Sequence, residues 1–371
     1  MTFTKRTECI FCKNKNLREL LLQDKSFPVG NFAVESVGHY FHFIPYNVQY
    51  CISCGVVQTK YVGDLNLIYE NNFAGAYGTI RSSMNTLFAE FIHFNDDIHS
   101  IAEIGAGNGD LSVAILDTKK LPYTIVDPSY AGPKSDRIII PTFFENHSES
   151  LTVDTIVMSH VFEHFYEPLN VLQKLREQPN LKYIYLSFPD LESFIKNNIY
   201  HVLNPEHTYY VENDFLRDVF SYFGFKMKRQ YFHENHSVFF EFVKEDSCSD
   251  LFPKQDKSYN DVIAFFQKVH NNIENATKVL NKNPSLPVYI WPCSMHTLFS
   301  FSLGLPTNKV HYVLDNSPLK IGKYLYGYKH KCLSFKDVIQ TTNTKIVILT
   351  GGCYNKEILK TINDTIILLI V

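Results

Sequence analysis

Five residues, Gly105-Ala-Gly107-Asn-Gly109, constrain this chain more than any other feature. They follow the buried-strand pattern Ile101-Ala-Glu103-Ile and precede a helical run from Asp110 to Leu116. A strand that passes through glycines into a helix marks a loop where backbone turns tightly and lets a ligand come into contact, because a Cβ there would collide with it. The spacing separates two ligand classes. A dinucleotide site wants G-x-G-x-x-G with pyrophosphate at the helix N-terminus. Here the third glycine comes one residue early, and Asp110 stands where that pattern has glycine. A carboxylate would repel pyrophosphate but tolerates the sulfonium and ammonium of S-adenosylmethionine. Glu103, Gly105, Gly107 and Gly109 are therefore candidate cofactor residues. Asp127, at the end of the next strand, is placed to take the two ribose hydroxyls.

The surrounding pattern supports the fold that such a loop requires. Met84, Leu87, Phe88, Phe91 and Ile92 recur at helical spacing. Strands at 101–105, 123–127, 137–140, 154–159 and 182–187 then alternate with helices at 110–116 and 169–177, and a helix at 213–223 follows. That alternation predicts a parallel sheet with helices on both faces. Strands at 225–232 and 237–244 are joined by only four residues, a connection that fits antiparallel neighbours, so they form a hairpin at the sheet edge. A parallel sheet finished by such a hairpin is the arrangement of class I methyltransferases. The expected fold class is α/β, with a Rossmann-like central domain over 76–247, a small N-terminal domain over 1–75, and a C-terminal α/β domain over 248–371. The last begins with a polar stretch at 244–257 and a helix at 259–280. It carries three apolar strands beginning at Val288, Val310 and Lys345.

Two C-x-x-C knuckles, Cys9/Cys12 and Cys51/Cys54, lie in the first domain. Each directs two thiolates at one point, and together they complete a closed tetrahedral zinc site of the structural kind. A redox role is the rival reading. The 38 residues between Cys12 and Cys51 are expected to form an insert of their own. Cys248, Cys293, Cys332 and Cys353 show no ligand spacing and read as core or surface thiols.

A formal net charge of −3 with dispersed Lys and Arg argues against nucleic acid as a partner. No apolar run reaches membrane-span length and the first residues hold no secretory signal, so a cytoplasmic protein is expected, acting as a monomer. Substrate should lie beyond the C-terminal ends of the sheet strands. Two segments fall there: Ser159-His160-Val-Phe-Glu163-His164, and Asn204-Pro-Glu206-His207-Thr-Tyr209-Tyr210. A histidine oriented by a carboxylate suits an acceptor that must lose a proton before methyl transfer. His160 and His164 are candidates for contact with the cofactor or for packing.

The order of knuckles, glycine loop, histidines after the fourth strand, Glu206-His207 and a C-terminal α/β domain with Asp315-Asn-Ser-Pro-Leu-Lys320 resembles the zinc-containing sugar C-methyltransferases of deoxysugar pathways. Those enzymes act on nucleotide-linked 4-keto sugars. The resemblance implies that His207 is the base that removes the proton beside the ketone. It makes Glu206 a substrate or orienting ligand and His164 a second active-site histidine. His160 falls with the cofactor residues. Two positions depart from the family. Asn204 replaces a tyrosine, which keeps a sugar oxygen or nitrogen open as the acceptor. Trp291-Pro-Cys-Ser294 replaces a glycine loop, so the last domain is expected to enclose the sugar nucleotide rather than bind a dinucleotide. A catalytically silent scaffold is the alternative of another class.

Overall fold

In the computed structural model, residues 3–21, 24–29, 33–36, 42–69, 79–197, 199, 203, 205–234, 236–249, 251–255, 259–340, 343–350, 352, 355–362 and 364–371 are described. Asn204 and Cys353 lie outside them.

The apolar runs become a seven-stranded sheet: β1 (Ile101–Ile104), β2 (Tyr123–Val126), β3 (Ile138–Ile140), β4 (Thr155–Ser159), β5 (Tyr183–Pro189), β6 (Phe225–His233) and β7 (Ser237–Lys244). Their spatial order is β3-β2-β1-β4-β5-β7-β6. The β1/β2, β1/β4, β2/β3 and β4/β5 pairs are parallel, whereas β7 runs antiparallel to both β5 and β6. This is the class I methyltransferase sheet. The hairpin does lie at one side, but its second strand is inserted and its first forms the edge. Insertion suits the composition: β7 is buried along six of its eight residues, while β6 alternates and leaves Tyr231 and Phe232 half exposed.

Each face of the sheet has its own core. Ala102, Ile104, Ile156, Met158 and Leu186 pack against helices α3 (Pro168–Arg176) and α5 (Asn213–Tyr222), and against Ile10, Phe11 and Val56 of the cysteine module. Ile101, Ile125, Val157, Tyr185 and Phe239 face helices α1 (Thr79–His93) and α2 (Asp110–Thr118). Helix α4 (Leu191–Lys196) follows β5, capped by the Asp190 side chain on Ser193 N.

The N-terminal module is built from short antiparallel strands. One of its sheets runs Leu17–Glu19, Val48–Cys51, Val57–Thr59 and then Tyr209–Tyr210, a strand that arrives from the central domain. The register sets Tyr209 opposite Gln58 and Tyr210 opposite Val57. The C-terminal region holds a parallel five-stranded sheet: β8 (Val288–Trp291), β9 (Tyr312–Asp315), β10 (Cys332–Ser334), β11 (Lys345–Leu349) and β12 (Ile366–Ile370), in the order β10-β9-β8-β11-β12. Sequence periodicity found three of these strands. Cys332–Ser334 is too short for a pattern to show, whereas the apolar run at 366–371 is a legible strand that the expectation of three omits. Phe27 and Tyr46 of the first module share a core with α6 (Tyr259–Lys282) and Phe299 of the last region. No helix among the described residues is long and apolar enough to cross a membrane.

Candidate functional site

The sheet order reverses between β1 and β4, and ligands in open α/β sheets bind beyond such a switch point. Two loops meet there. After β1, Gly105, Gly107 and Gly109 all take positive φ, at 71°, 55° and 78°. Gly105 is packed: an added Cβ would come within 2.5 Å of Val161 Cγ2, which ties this loop to the one after β4. Gly109 is likewise closed by Tyr130 Oη at 2.6 Å, but a Cβ on Gly107 would meet nothing within 4 Å. The open side of the loop is at Gly107, and only there does bare backbone face free space.

Asp127 holds that loop. Its Oδ2 accepts from Gly107 N at 2.8 Å and its Oδ1 from Ser129 N at 2.7 Å. Two charge-assisted bonds of this kind contribute about 1.5–3 kcal/mol each. Glu103 has a different setting. It is buried on β1 and accepts from Tyr123 Oη at 2.7 Å across the β1/β2 pair. Burial pushes its carboxyl up to about 7, with the Tyr123 hydrogen bond opposing.

After β4 the chain turns at His160, a non-glycine residue with φ of 53°. Such a conformation costs on the order of 1–3 kcal/mol and tends to persist at functional sites. Its ring is fixed from both sides, with Nε2 2.8 Å from Ser237 Oγ and Nδ1 3.2 Å from Glu163 Oε1. Glu163 is only 1% exposed, yet it is ringed by three imidazoles: His164 Nε2 lies 4.0 Å from Oε1 and His207 Nε2 3.9 Å. The His164 and His207 rings meet edge to face at 4.9 Å. The segments after β4 and β5 thus converge through these side chains.

The convergence is built on backbone contacts. Thr208 N donates to Glu163 O at 2.9 Å, and Thr208 Oγ1 to Phe165 O at 2.8 Å. Tyr209 Oη donates to Phe162 O. The N-terminal module holds the other side, with Tyr46 Oη donating to Leu203 O and Thr59 N to Thr208 O.

Most residues expected at the site from sequence come together here: His160, His164 and His207 in one cluster, with the glycine loop beside it through Val161. Glu206 is half-buried, and its charge acts on Tyr166. The carboxylate within 4 Å of His207 Nε2 is that of Glu163. Sequence reasoning quoted Glu163 but gave it no role, and its neighbours at 160 and 164 were the available signal. Ser187 was missed entirely. It lies opposite Ser159 across β4 and β5, and neither hydroxyl has a hydrogen-bond partner among the described residues. Single serines in buried strands carry no pattern.

The four knuckle cysteines also converge. Cys9 Sγ is 3.5 Å from Cys54 Sγ, and Cys12 Sγ is 3.5 Å from Cys51 Sγ. All four sulfurs lie within 4.8 Å of one another. Bonds of about 2.3 Å in a tetrahedron give an edge of about 3.8 Å, so the set fits a zinc ion. Without a cation the thiols cannot all ionise: the hydrogen bond with Cys54 holds Cys9 down to about 6, while burial pushes Cys12 up to about 12. Glu163, His164 and His207 also satisfy a loose metal geometry. The two Glu163–imidazole separations of 3.9–4.0 Å, however, exceed the edge of about 3.4 Å expected for ligands at 2.0–2.1 Å. Cys248 is exposed and Cys293 and Cys332 are buried, as expected of surface and core thiols.

Comparison with known proteins bears on the central region. A family model described as "Methyltransferase domain" matches residues 78–230. No curated protein matches the chain. Among solved structures, the magnesium protoporphyrin IX methyltransferase of Synechocystis PCC 6803 with bound SAM is 14% identical, over 44% of this chain and 80% of its own, at a TM-score of 0.35. The plantazolicin methyltransferase BpumL in complex with SAH is 16% identical, over 45% of this chain and 84% of its own, at 0.37. Likeness at that level assigns no substrate. Residues 78–230 carry a methyltransferase domain, and the enzyme class expected from the sequence stands.

Proposed function

We propose that this methyltransferase uses S-adenosylmethionine to methylate a nucleotide-linked sugar at the carbon beside a 4-keto group, with His207 as base and zinc as a structural ion on Cys9, Cys12, Cys51 and Cys54. The observation that carries the reading is the convergence of His160, His164 and His207 on Glu163, beside a glycine loop open at Gly107. When bound, S-adenosylmethionine supplies a methyl carbon already activated for displacement. The loop would hold it at Gly107, with Gly105 and Gly109 shaping the turn, Asp127 bracing the loop and Glu103 behind it.

The chain must supply alignment and a place for a proton. An imidazole near a buried carboxylate serves as a proton acceptor, because the ion pair formed on protonation is stabilised where water is scarce. His207 and Glu163 supply that pair, with His164 against the His207 ring. Only a carbon next to a carbonyl is acidic enough for such a base, which is why a ketone is required. Glu206 reads as a substrate ligand. The bidentate zinc knuckles supply no open coordination position, so they anchor the module against which the His207 segment lies.

Incubation with labelled S-adenosylmethionine and a panel of 4-keto sugar nucleotides, read by mass spectrometry, tests the reading. A product one methyl heavier, with exchange of the adjacent carbon-bound deuterium, is expected. Methylation without that exchange moves the acceptor to oxygen or nitrogen. Absence of any product across the panel sinks the sugar assignment.

A further inference from the structure

From the N-terminal module, the Arg6 side chain reaches the backbone beside the histidine cluster. Arg6 follows the strand Phe3–Lys5, which pairs with Tyr61–Gly63, and its own N donates to Lys60 O at 2.9 Å. The guanidinium crosses to the central domain. Nη1 donates to Thr208 O at 2.7 Å and to Thr59 Oγ1 at 3.1 Å, and Nη2 reaches Tyr166 O at 3.4 Å. The Tyr166 ring lies 5.9 Å from the guanidinium carbon, and Tyr166 Oη returns to Gly63 O at 2.8 Å.

The two carbonyls matter because of their neighbours. Thr208 directly follows His207, and Tyr166 lies two residues after His164. One planar fork therefore holds both segments that approach Glu163. A lysine could not do this, since a single ammonium on a flexible stem cannot span two carbonyls in fixed directions. Burial drives the Arg6 pKa down to about 10, so the group stays cationic at neutral pH despite its partly desolvated setting.

We propose that Arg6 is a positioning residue: by bonding Thr208 and Tyr166 together it sets the spacing of His207 and His164 around Glu163. The proposal rests on the cluster being the acceptor site, and it gives the N-terminal module a part in the reaction beyond holding zinc.

The test uses the full-length, zinc-loaded protein with histidines labelled at Cε1. In Arg6→Ala the NMR signals of His164 and His207 should shift, and amide exchange over 208–210 should speed at least about tenfold. Affinity for S-adenosylmethionine should stay within about twofold, because the glycine loop is untouched. On whichever sugar nucleotide the wild type methylates, kcat should fall about a hundredfold with KM nearly unchanged, as misplacement without lost binding requires. Millimolar guanidinium should restore the histidine signals and most of the rate, and ammonium should not. Arg6→Lys, which keeps charge and stem, should show the same changes at smaller size if the alanine variant fails to fold. Wild-type histidine signals and exchange in either variant would overturn the proposal, as would a loss that guanidinium leaves unaltered. If no sugar nucleotide is methylated by wild type, the substrate reading falls, and the spectroscopic and exchange arms still decide Arg6.

Discussion

The cysteine cluster and the histidine cluster both gather ionisable side chains, and they are held in different ways. In the N-terminal module, four thiols stand close enough that they cannot all ionise without a cation. Beyond β4, one buried carboxylate is surrounded by imidazoles at 3.2–4.0 Å, which can take up its charge by gaining protons. The first arrangement is closed and suits a structural ion. The second leaves His164 and His207 partly exposed and suits proton movement. Thr59, Arg6 and Tyr209 join the two, so the closed cluster supports the open one.

The largest effect should come from the closed cluster. Cys51→Ser should remove bound zinc, from about one ion per chain to none by elemental analysis, and with it a stabilisation that is on the order of 10 kcal/mol in small zinc modules. The N-terminal sheet should open and the Tyr209–Tyr210 strand with it, seen as lost amide protection in both. A protein that melts at the same temperature with and without chelator would break the distinction drawn here.

The open cluster should behave in the opposite sense. His207→Ala should cost about 10²- to 10⁴-fold in turnover while leaving the melting temperature almost unchanged. Glu163→Gln should cost about 10- to 100-fold, the equivalent of one charge-assisted interaction. If either substitution instead lowers stability as Cys51→Ser does, the cluster is structural and the base lies elsewhere.

Sequence was informative about this contrast where residues repeat at fixed spacing. The knuckles, the glycine loop and the strand–helix alternation are local patterns, and their consequences could be read before any fold was known. The pairing of β7 between β5 and β6 could not, since a hairpin specifies only that its two strands are neighbours. The partner of His207 was also hidden. Glu206 is adjacent in the chain, but adjacent residues often point apart, and Glu163 arrives from a loop 44 positions earlier. Arg6 was invisible for the same reason: its partners on the His164 and His207 segments are carbonyls, which every residue has. Long-range contacts to backbone leave no trace in composition or periodicity.

Glu103 offers the smallest test and the sharpest one, because among the described residues the hydrogen-bond donor to this buried carboxylate is neither a cation nor an imidazole but a phenol, Tyr123. Its carboxyl is raised from 4.5 to about 7 by burial; Asp127 and Asp110 push the same way, and Arg137 and the Tyr123 hydroxyl oppose. A raised carboxyl means that the folded chain holds the proton more tightly than the unfolded one. Its contribution to stability is therefore complete below about 4.5 and is lost as pH climbs through 7. Removing the hydroxyl in Tyr123→Phe takes away an opposing influence, so the charged form becomes more costly. The variant should match wild type closely at pH 5 and fall behind by about 1–2 kcal/mol at pH 8, measured by thermal unfolding at both. A deficit of equal size at the two pH values would mean that Glu103 keeps one protonation state throughout. The contrast between charge stabilised by an ion, by imidazoles and by a single phenol would then lose its third member.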